Sequence, residues 1–322
     1  SEVGGAVLRE GGNAVDAAVA TAFALAVTHP TAGNIGGGGF LVLRLGSGEA
    51  VTYDFRETAP ANASPTMFLR DGQYDFELHH NSHLSVGVPG TVAGLHMAWQ
   101  DHGTLPWRRL VEPAVRLARD GFPVSFGLAR SLAGILDEMK RYPASLAQFS
   151  KAGTPYASGD VLKQPDLART LDRIANRGPA GFYEGETAGF IEREMRTNGG
   201  IITREDLKSY KALKRAPLRG TYRGYEILGM PPASSGGVAV VQALNILEGF
   251  DLKASGYGSA KTIHTIAESM RRAFADRARH LGDPAFNADM PVERLTSKDY
   301  AATLRRTISP ARASVSSPTS FT

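Results

Sequence analysis

The first sixty residues alternate between apolar and polar segments in a pattern that predicts one helix followed by two strands. Residues 13–28 carry apolar side chains three and four positions apart, which predicts a buried helix capped by Asn13. A glycine-rich segment at 31–39 leads into the mostly apolar run 40–45, which is typical of an interior strand. A second strand is predicted at 50–55, so we expect the two strands to form a hairpin.

From residue 90 onward the apolar spacing changes to that of packed helices. Helices are predicted at 92–101, 107–120, 126–140, 164–176, 185–198, 204–210, 237–247 and 260–281, and a strand is predicted at 220–228. The mixture of helices and strands favours an α/β (α+β) fold. Because no repeat and no long linker interrupts the chain, we expect residues 1–322 to form one domain with a helical excursion near 90–210. The tail at 309–322 is rich in Ser, Thr, Ala and Pro, and we expect it to be flexible.

The composition argues against nucleic-acid binding and excludes chemistry that depends on cysteine. The 322 residues include 36 basic and 32 acidic side chains, and the interspersed signs and the small net charge of +4 argue against a nucleic-acid-binding face. The densest basic stretch is interrupted by acidic residues and favours a solvated helix face; it consists of Arg271, Arg272, Arg277 and Arg279. The absence of cysteine excludes disulfides, thiolate nucleophiles and cysteine metal sites.

The sequence also bears on location. No apolar run reaches the roughly 18 residues that a membrane span needs, and the longest candidate, 14–27, carries Asp16. The sequence starts at Ser1 without a Met, so we expect any targeting segment to have been removed already. A cysteine-free composition fits a periplasmic or secreted protein.

Four consecutive glycines at 36–39 invite comparison with a phosphate-binding loop. Such a loop follows a strand and precedes a helix, whose amino end supplies the positive charge. Here the predicted helix comes first and the strand follows, so tight backbone packing is the favoured explanation.

Two further polar clusters have a structural alternative. His79, His80 and His83 lack the spacing and the helical frame of zinc ligands, which favours a polar surface loop. Ser234 and Ser235 precede a predicted helix, where their hydroxyls would either meet an anion or cap the helix.

The segment 54–57 (DFRE) places charged side chains at the end of a predicted interior strand, where they must emerge at a sheet edge or be paired. If Asp54 and Glu57 fix Arg56 between them, its planar guanidinium offers two parallel hydrogen bonds to a ligand carboxylate. The residues alone leave open both a structural ion pair and a carboxylate-binding site at Arg56.

Taken in order, these and other segments resemble those of the γ-glutamyltranspeptidases. The resemblance rests on residues 10–18 (EGGNAVDAA), 28–30 (THP), 33–40 (GNIGGGGF), 54–57 (DFRE), 87–94 (GVPGTVAG), 117–122 (LARDGF), 222–225 (YRGY), 230–237 (MPPASSGG) and 281–284 (LGDP). It spans nearly the whole chain.

The resemblance implies an amino-terminal-nucleophile hydrolase fold, a four-layer αββα sandwich completed by a small subunit. It implies a precursor that cleaves itself just before a threonine, close to the predicted tail at 309–322. The freed threonine begins the small subunit and is the nucleophile, so no catalytic residue is expected on this chain. The implied reaction is γ-glutamyl transfer and hydrolysis of glutathione and other γ-glutamyl amides through a γ-glutamyl-threonine intermediate, without a cofactor or metal.

Carried over by position, Arg56 matches the family arginine that binds the α-carboxylate of the γ-glutamyl group. The implied partners are the small subunit in a heterodimer, a γ-glutamyl substrate such as glutathione, and an amino acid or peptide acceptor, with no nucleic acid. The implied location is the periplasm or the cell exterior. Two alternatives stay open: a cephalosporin (glutaryl-7-aminocephalosporanic acid) acylase of the same family, and a non-catalytic binding protein derived from it.

Overall fold

A computed structural model describes residues 2–316 of the chain. Within this part, two compact units can be distinguished. The first comprises residues 2–39 and 54–213, and the second comprises residues 40–53 and 214–316. The expectation that the whole chain acts as one domain stays a prediction.

Helices and strands are numbered in chain order. The helices are α1 (Glu2–Arg9), α2 (Ala14–Thr28), α3 (Phe76–His80), α4 (Thr91–His102), α5 (Trp107–Asp120), α6 (Phe126–Gly134), α7 (Leu136–Met139), α8 (Pro143–Phe149), α9 (Pro165–Arg177), α10 (Ala180–Tyr183), α11 (Gly185–Thr197), α12 (Arg204–Ser209), α13 (Gly236–Leu247), α14 (Leu252–Ser255), α15 (Ala260–His280), α16 (Val292–Thr296) and α17 (Lys298–Arg306). The strands are β1 (Gly39–Arg44), β2 (Ala50–Phe55), β3 (Leu69–Arg70), β4 (Gln73–Tyr74), β5 (Phe122–Pro123), β6 (Val161–Leu162), β7 (Leu213–Arg215), β8 (Leu218–Tyr222) and β9 (Tyr225–Gly229).

The core of the first unit lies where α2 and α9 each pack against α5. As predicted, Asn13 caps α2: its Oδ1 accepts hydrogen bonds from the backbone N–H groups of Val15 and Asp16 at 2.8 and 3.0 Å. The ring of Phe23 meets Trp107 edge-on at 5.5 Å, and Trp107 Nε1 donates to the carbonyl of Ile174 at 2.9 Å. The indole therefore fills the core while its one polar group is satisfied.

In the second unit the predicted hairpin is confirmed, since β1 and β2 are neighbours in a three-stranded sheet of order β1-β2-β7. The single strand predicted at 220–228 is wrong. The segment is an antiparallel hairpin of β8 and β9, with Tyr222 paired to Tyr225. The turn places Arg223 and Gly224 at φ 50° and 86°, the left-handed pair that matches the twist of a tight hairpin.

Helix α13 packs against β8, α15 and α17. Ile246, Ala301 and Leu304 form a buried apolar cluster between α13 and α17. Sequence reasoning missed α17 because only two of its residues, Ala301 and Leu304, are buried, so its apolar periodicity is weak.

All nine predicted helices are present, but the one predicted at 126–140 is divided into α6 and α7. The break follows Gly134, a residue with low helix propensity. Among residues 2–316 no helix is long and apolar enough to cross a bilayer. Of the predicted tail at 309–322, residues 317–322 lie outside the described part; residues 309–316 form no helix or strand, and the carbonyl of Ser309 accepts a hydrogen bond from His264 Nε2 at 2.8 Å.

Candidate functional site

Arg56 is an exposed residue that directly follows the buried end of β2. Its neighbours do not hold the guanidinium as the sequence suggested. Asp54 Oδ1 accepts a hydrogen bond from the backbone N–H of Arg56 at 3.2 Å. Among residues 2–316 the guanidinium has no ion pair or hydrogen bond, and the residue is exposed, so its donors are available to a ligand. This is the state in which an arginine can bind a carboxylate ligand.

The backbone of Phe55 is enclosed by glycines that come from two distant segments. A Cβ added to Gly38 would lie 2.4 Å from the carbonyl oxygen of Phe55, and one added to Gly90 would lie 2.1 Å from the same oxygen. Only a residue without a side chain fits at such a close approach. The prediction that the glycines at 36–39 serve tight backbone packing is therefore confirmed at Gly38.

Hydrogen bonds tie these two glycine segments together. The carbonyl of Gly37 accepts from the backbone N–H groups of Gly90 and Thr91 at 2.7 and 3.0 Å. The side chain of Asn34 accepts from the N–H of Gly37 at 2.9 Å and from the hydroxyl of Thr91 at 2.8 Å. These contacts hold the chain around residue 55 in place. They therefore restrict the position of the Arg56 backbone, to which the side chain is attached.

Two stacked tyrosines complete this support. Tyr210 Oη donates to the carbonyl of Arg56 at 2.8 Å, and Tyr183 Oη donates to the carbonyl of Pro89 at 2.9 Å. The two rings are nearly parallel, with centroids 5.8 Å apart. Burial raises the pKa of both phenols, and the neighbouring charges of Asp54 and Glu57 raise the pKa of Tyr210 further. Both phenols therefore stay protonated and remain donors at neutral pH.

Arg56 lies in the wall of a cavity of about 470 Å³. The cavity wall also carries a negative charge, because Glu57 lines it. The imidazole of His79 and the apolar side chains of Met67 and Phe68 form other parts of the wall. A cavity of this size holds a small amino-acid derivative, and its charged groups can orient a ligand that carries both a carboxylate and an ammonium group.

The histidines are not in a loop without a helical frame, as the sequence had suggested. His79 and His80 end helix α3, which Asp75 caps by accepting from Leu78 N–H at 2.9 Å. His79 stacks on Phe68 at 4.3 Å and its Nδ1 is 2.8 Å from Tyr74 Oη. In residues 2–316 no group of three or more His, Cys, Asp or Glu side chains is arranged to hold a metal ion.

The two serines before α13 are engaged within the chain. Ser235 Oγ accepts from Arg277 Nε at 2.7 Å, and Ser234 Oγ accepts from the N–H of Gly236 at 3.2 Å. Ser235 makes no capping hydrogen bond, so helix capping does not explain it. Its hydroxyl is instead a partner for Arg277.

Among the candidate residues within 2–316, both Arg56 and His79 line the cavity, and Arg56 is the one whose side chain makes no hydrogen bond or ion pair there. Sequence reasoning missed Tyr183 and Tyr210. They lie far along the chain from residue 56, and no local pattern marks an aromatic residue that will reach a distant carbonyl.

A family model matches the whole chain, and known proteins match most of it. The sequence model of the family described as gamma-glutamyltranspeptidase matches residues 1–322. The chain is 50% identical over 306 residues to a glutathione hydrolase proenzyme of Escherichia coli, covering 94% of this chain and 53% of that protein. It is 42% identical over 308 residues to the acylase ACY 1 proenzyme of a Pseudomonas species, covering 94% of this chain and 55% of that protein.

The crystal structure of Helicobacter pylori γ-glutamyltranspeptidase is similar with a TM-score of 0.96 at 47% identity, covering 98% of this chain and 91% of that chain. This likeness confirms the predicted mixed α/β class and the expected fold. The chain spans about half the length of the curated relatives it matches.

Proposed function

This chain belongs to the γ-glutamyltranspeptidase family, and from that premise we propose that it is the large-subunit half of an enzyme that transfers and hydrolyses γ-glutamyl groups. Its substrates are glutathione and other γ-glutamyl amides, and its acceptors are water, amino acids or peptides. The small subunit, made from the same precursor, carries the catalytic threonine in a heterodimer. The location that goes with this function is the periplasm or the cell exterior.

In the proposed reaction, the threonine hydroxyl attacks the γ-carbonyl carbon of the donor and the threonine amino group takes the proton. The C–N bond then breaks, the leaving amine takes up that proton, and a γ-glutamyl ester remains on the threonine. Water or an acceptor amine attacks the ester carbon, which releases glutamate or a new γ-glutamyl amide and restores the hydroxyl. This chain supplies the recognition of the donor rather than the attacking group.

The exposed guanidinium of Arg56 is the observation that carries the proposal. It stands on a backbone held by Gly38, Gly90 and Tyr210, beside a cavity of about 470 Å³. Because the backbone at Arg56 is fixed, the side chain loses less conformational entropy when it binds a ligand. The same restriction favours one orientation of the donor's α-carboxylate.

Replacement of Arg56 tests this role. Hydrogen bonds to a charged group contribute about 1.5–3 kcal/mol, so Arg56→Ala in the whole enzyme should raise the apparent KM for γ-glutamyl-p-nitroanilide about tenfold to a hundredfold. Arg56→Lys should recover part of the loss, because it restores the charge without the planar fork. Self-cleavage of the precursor should continue, as seen by the appearance of two chains on a gel.

The matched control is Arg119→Ala, which removes an exposed arginine of the same unit that pairs with its neighbour Asp120. It should leave the KM for the donor unchanged. An unchanged KM in Arg56→Ala would remove Arg56 from the donor site.

A second candidate function is acylase activity, favoured by the 42% identity to a protein named acylase ACY 1 proenzyme. A glutaryl side chain has a carboxylate but no α-amino group, so Arg56 would suit either substrate class. Turnover of γ-glutamyl-p-nitroanilide and of glutaryl-7-aminocephalosporanic acid, measured on one preparation, separates the two functions. A non-catalytic binding protein is the third possibility, and it would be favoured if the first residue of the partner chain were not threonine.

A further inference from the structure

A second cavity, of about 360 Å³, lies in the first unit at the amino end of helix α9. It shares the lining residue Gly36 with the cavity beside Arg56, but Arg56 itself does not line it. Ligand sites in proteins begin at about 300 Å³, so this cavity can hold a small molecule. The proposed transfer of γ-glutamyl groups makes no use of it.

Gln164, the residue directly before α9, is 3% exposed and lines this cavity. A residue at this position often turns a side-chain oxygen toward the first N–H groups of its helix. Gln164 makes no such bond, because its Nε2 donates at 2.8 Å to the carbonyl of Val27 in the last turn of α2. Since a carbonyl requires a donor, the amide nitrogen faces Val27 and the amide oxygen points elsewhere.

That amide oxygen is an acceptor without a partner. Oε1 of Gln164 accepts no hydrogen bond from residues 2–316, and it is not fully enclosed by them, so it is accessible from the cavity. Gln148 repeats the arrangement: its Nε2 donates to the carbonyl of Lys163 at 2.8 Å, and its Oε1 has no partner in the described part of the chain. Two amide oxygens can therefore accept hydrogen bonds from one ligand.

The first turn of α9 supplies donors to the same cavity. Asp166 and Leu167 line it, and within residues 2–316 their backbone N–H groups have no partner, because no side chain caps this helix of 13 residues. The amino end of a helix carries a partial positive charge and attracts a carboxylate. The Asp166 carboxylate, which accepts from Arg169, adds a negative charge nearby.

These charges select the class of ligand. The negative charge of Asp166 disfavours a simple anion, and the helix end disfavours a simple cation, whereas a molecule that carries both charges suits both groups. The remaining wall is largely apolar and includes Ile35, Phe149 and the side chain of Leu167. An apolar side chain on the ligand would be removed from water there.

We propose that this cavity binds a zwitterionic α-amino acid with an apolar side chain. Its carboxylate accepts from the N–H groups of Asp166 and Leu167. Its ammonium group donates to Oε1 of Gln164 and Oε1 of Gln148. The site is separate from the donor site at Arg56, and the inference does not depend on the proposed transfer reaction.

L-Leucine is the probe for the test. The whole precursor is expressed, and the purified protein is titrated with L-leucine in a calorimeter. We expect saturable binding with a Kd of about 1 mM or tighter. N-acetyl-L-leucine lacks the ammonium group and L-leucinamide lacks the carboxylate. Each should bind at least about tenfold more weakly, because it leaves one set of polar groups in the cavity without a partner.

Leu167→Trp fills the cavity and should weaken the binding of L-leucine at least about tenfold. Ile135→Trp is the matched control, since Ile135 is 41% exposed and does not line the cavity, and its Kd should be unchanged. Arg56→Ala should also keep the Kd, because Arg56 lies outside this cavity. Circular dichroism checks that each variant is folded. If Leu167→Trp does not accumulate, Gln148→Leu takes its place and removes one acceptor oxygen at similar size.

Three results would each overturn the proposal: no saturable binding by the unsubstituted protein, an equal Kd in Leu167→Trp, or equally tight binding of N-acetyl-L-leucine. Binding that is lost in Arg56→Ala and kept in Leu167→Trp would place L-leucine in the donor cavity and would also overturn it. Turnover of γ-glutamyl-p-nitroanilide is measured separately on the same preparation. Failure of the proposed function and failure of the amino-acid site are therefore distinguishable.

Discussion

Arg56 and Arg272 are the same side chain in opposite surroundings. Arg272 is 1% exposed and donates to the carboxylate of Glu268 and to the carbonyl and hydroxyl of Thr307. Arg56 is exposed, and among residues 2–316 its guanidinium has no partner, although the backbone that carries it is tightly held. In the first unit the backbone at Arg56 is held in place and its guanidinium is available to a ligand. In the second unit the guanidinium of Arg272 is itself held by hydrogen bonds.

This difference separates recognition from stability. A guanidinium removed from water must have its donors satisfied, and once they are satisfied it has none left for a ligand. An exposed guanidinium is hydrated by water, so it pays little free energy while no ligand is bound. If its backbone is fixed, it also loses less conformational entropy when it binds a carboxylate. We therefore expect substitutions at Arg272 to change the stability of the protein and substitutions at Arg56 to change binding.

The largest expected effect is that of Arg272→Ala. It leaves the carboxylate of Glu268 buried without its cation, which typically destabilises a protein by about 3–5 kcal/mol. Denaturant unfolding of the whole enzyme, followed by circular dichroism, measures the change. Arg219→Ala removes an exposed arginine that pairs with Glu226 and is the control, for which we expect an unchanged transition. Equal transitions for the two variants would contradict the assignment of Arg272 as a buried structural cation.

Acid should act on the same network with a smaller effect. Burial alone would raise the pKa of Glu268, but hydrogen bonds from Ser314 and Arg272 prevail and lower it from its usual 4.5 to about 2. Because the pKa is depressed in the folded state, its contribution to stability is complete above about pH 4.5 and is lost as the pH falls toward 2, a total of about 3 kcal/mol. The free energy of unfolding, measured from pH 5 to 2, should fall less steeply in Glu268→Gln than in the unsubstituted protein. Parallel slopes would show that this carboxylate does not carry the dependence.

Around Arg272, the sequence predicts the helix but not which side chains it buries. The helix at 260–281 was predictable, since its apolar residues recur at helical spacing. Which face turns inward was not, because the same spacing describes an apolar face directed to the core or to a partner. The buried pair of Glu268 and Arg272 depends on Thr307 and Ser314, whose approach to α15 is set by tertiary packing.

At the candidate site, the position of Arg56 after an interior strand was visible in the sequence, and so was the packing role of the glycines at 36–39. The contacts that steady Arg56 were not visible. Tyr210 donates to its carbonyl from 154 residues further along the chain, and Gly90, at the start of α4, approaches the carbonyl of Phe55 from another distant segment. Local patterns reveal which residue is placed at a strand end, whereas the support of that residue comes from distant segments.

The smallest expected effect is that of Tyr210→Phe, which tests whether the fixed backbone at Arg56 matters for donor binding. Tyr210→Phe removes the hydroxyl that donates to the carbonyl of Arg56 and keeps the ring that stacks on Tyr183. One hydrogen bond contributes about 1 kcal/mol, so we expect the KM for the γ-glutamyl donor to rise about fivefold with kcat less affected. Tyr300→Phe in the second unit loses a comparable bond, to Asp276 at 3.1 Å, and should lower stability without changing the KM. If both variants changed the KM equally, general loss of stability would explain the effect; a change confined to Tyr210→Phe identifies that tyrosine as the residue that positions Arg56.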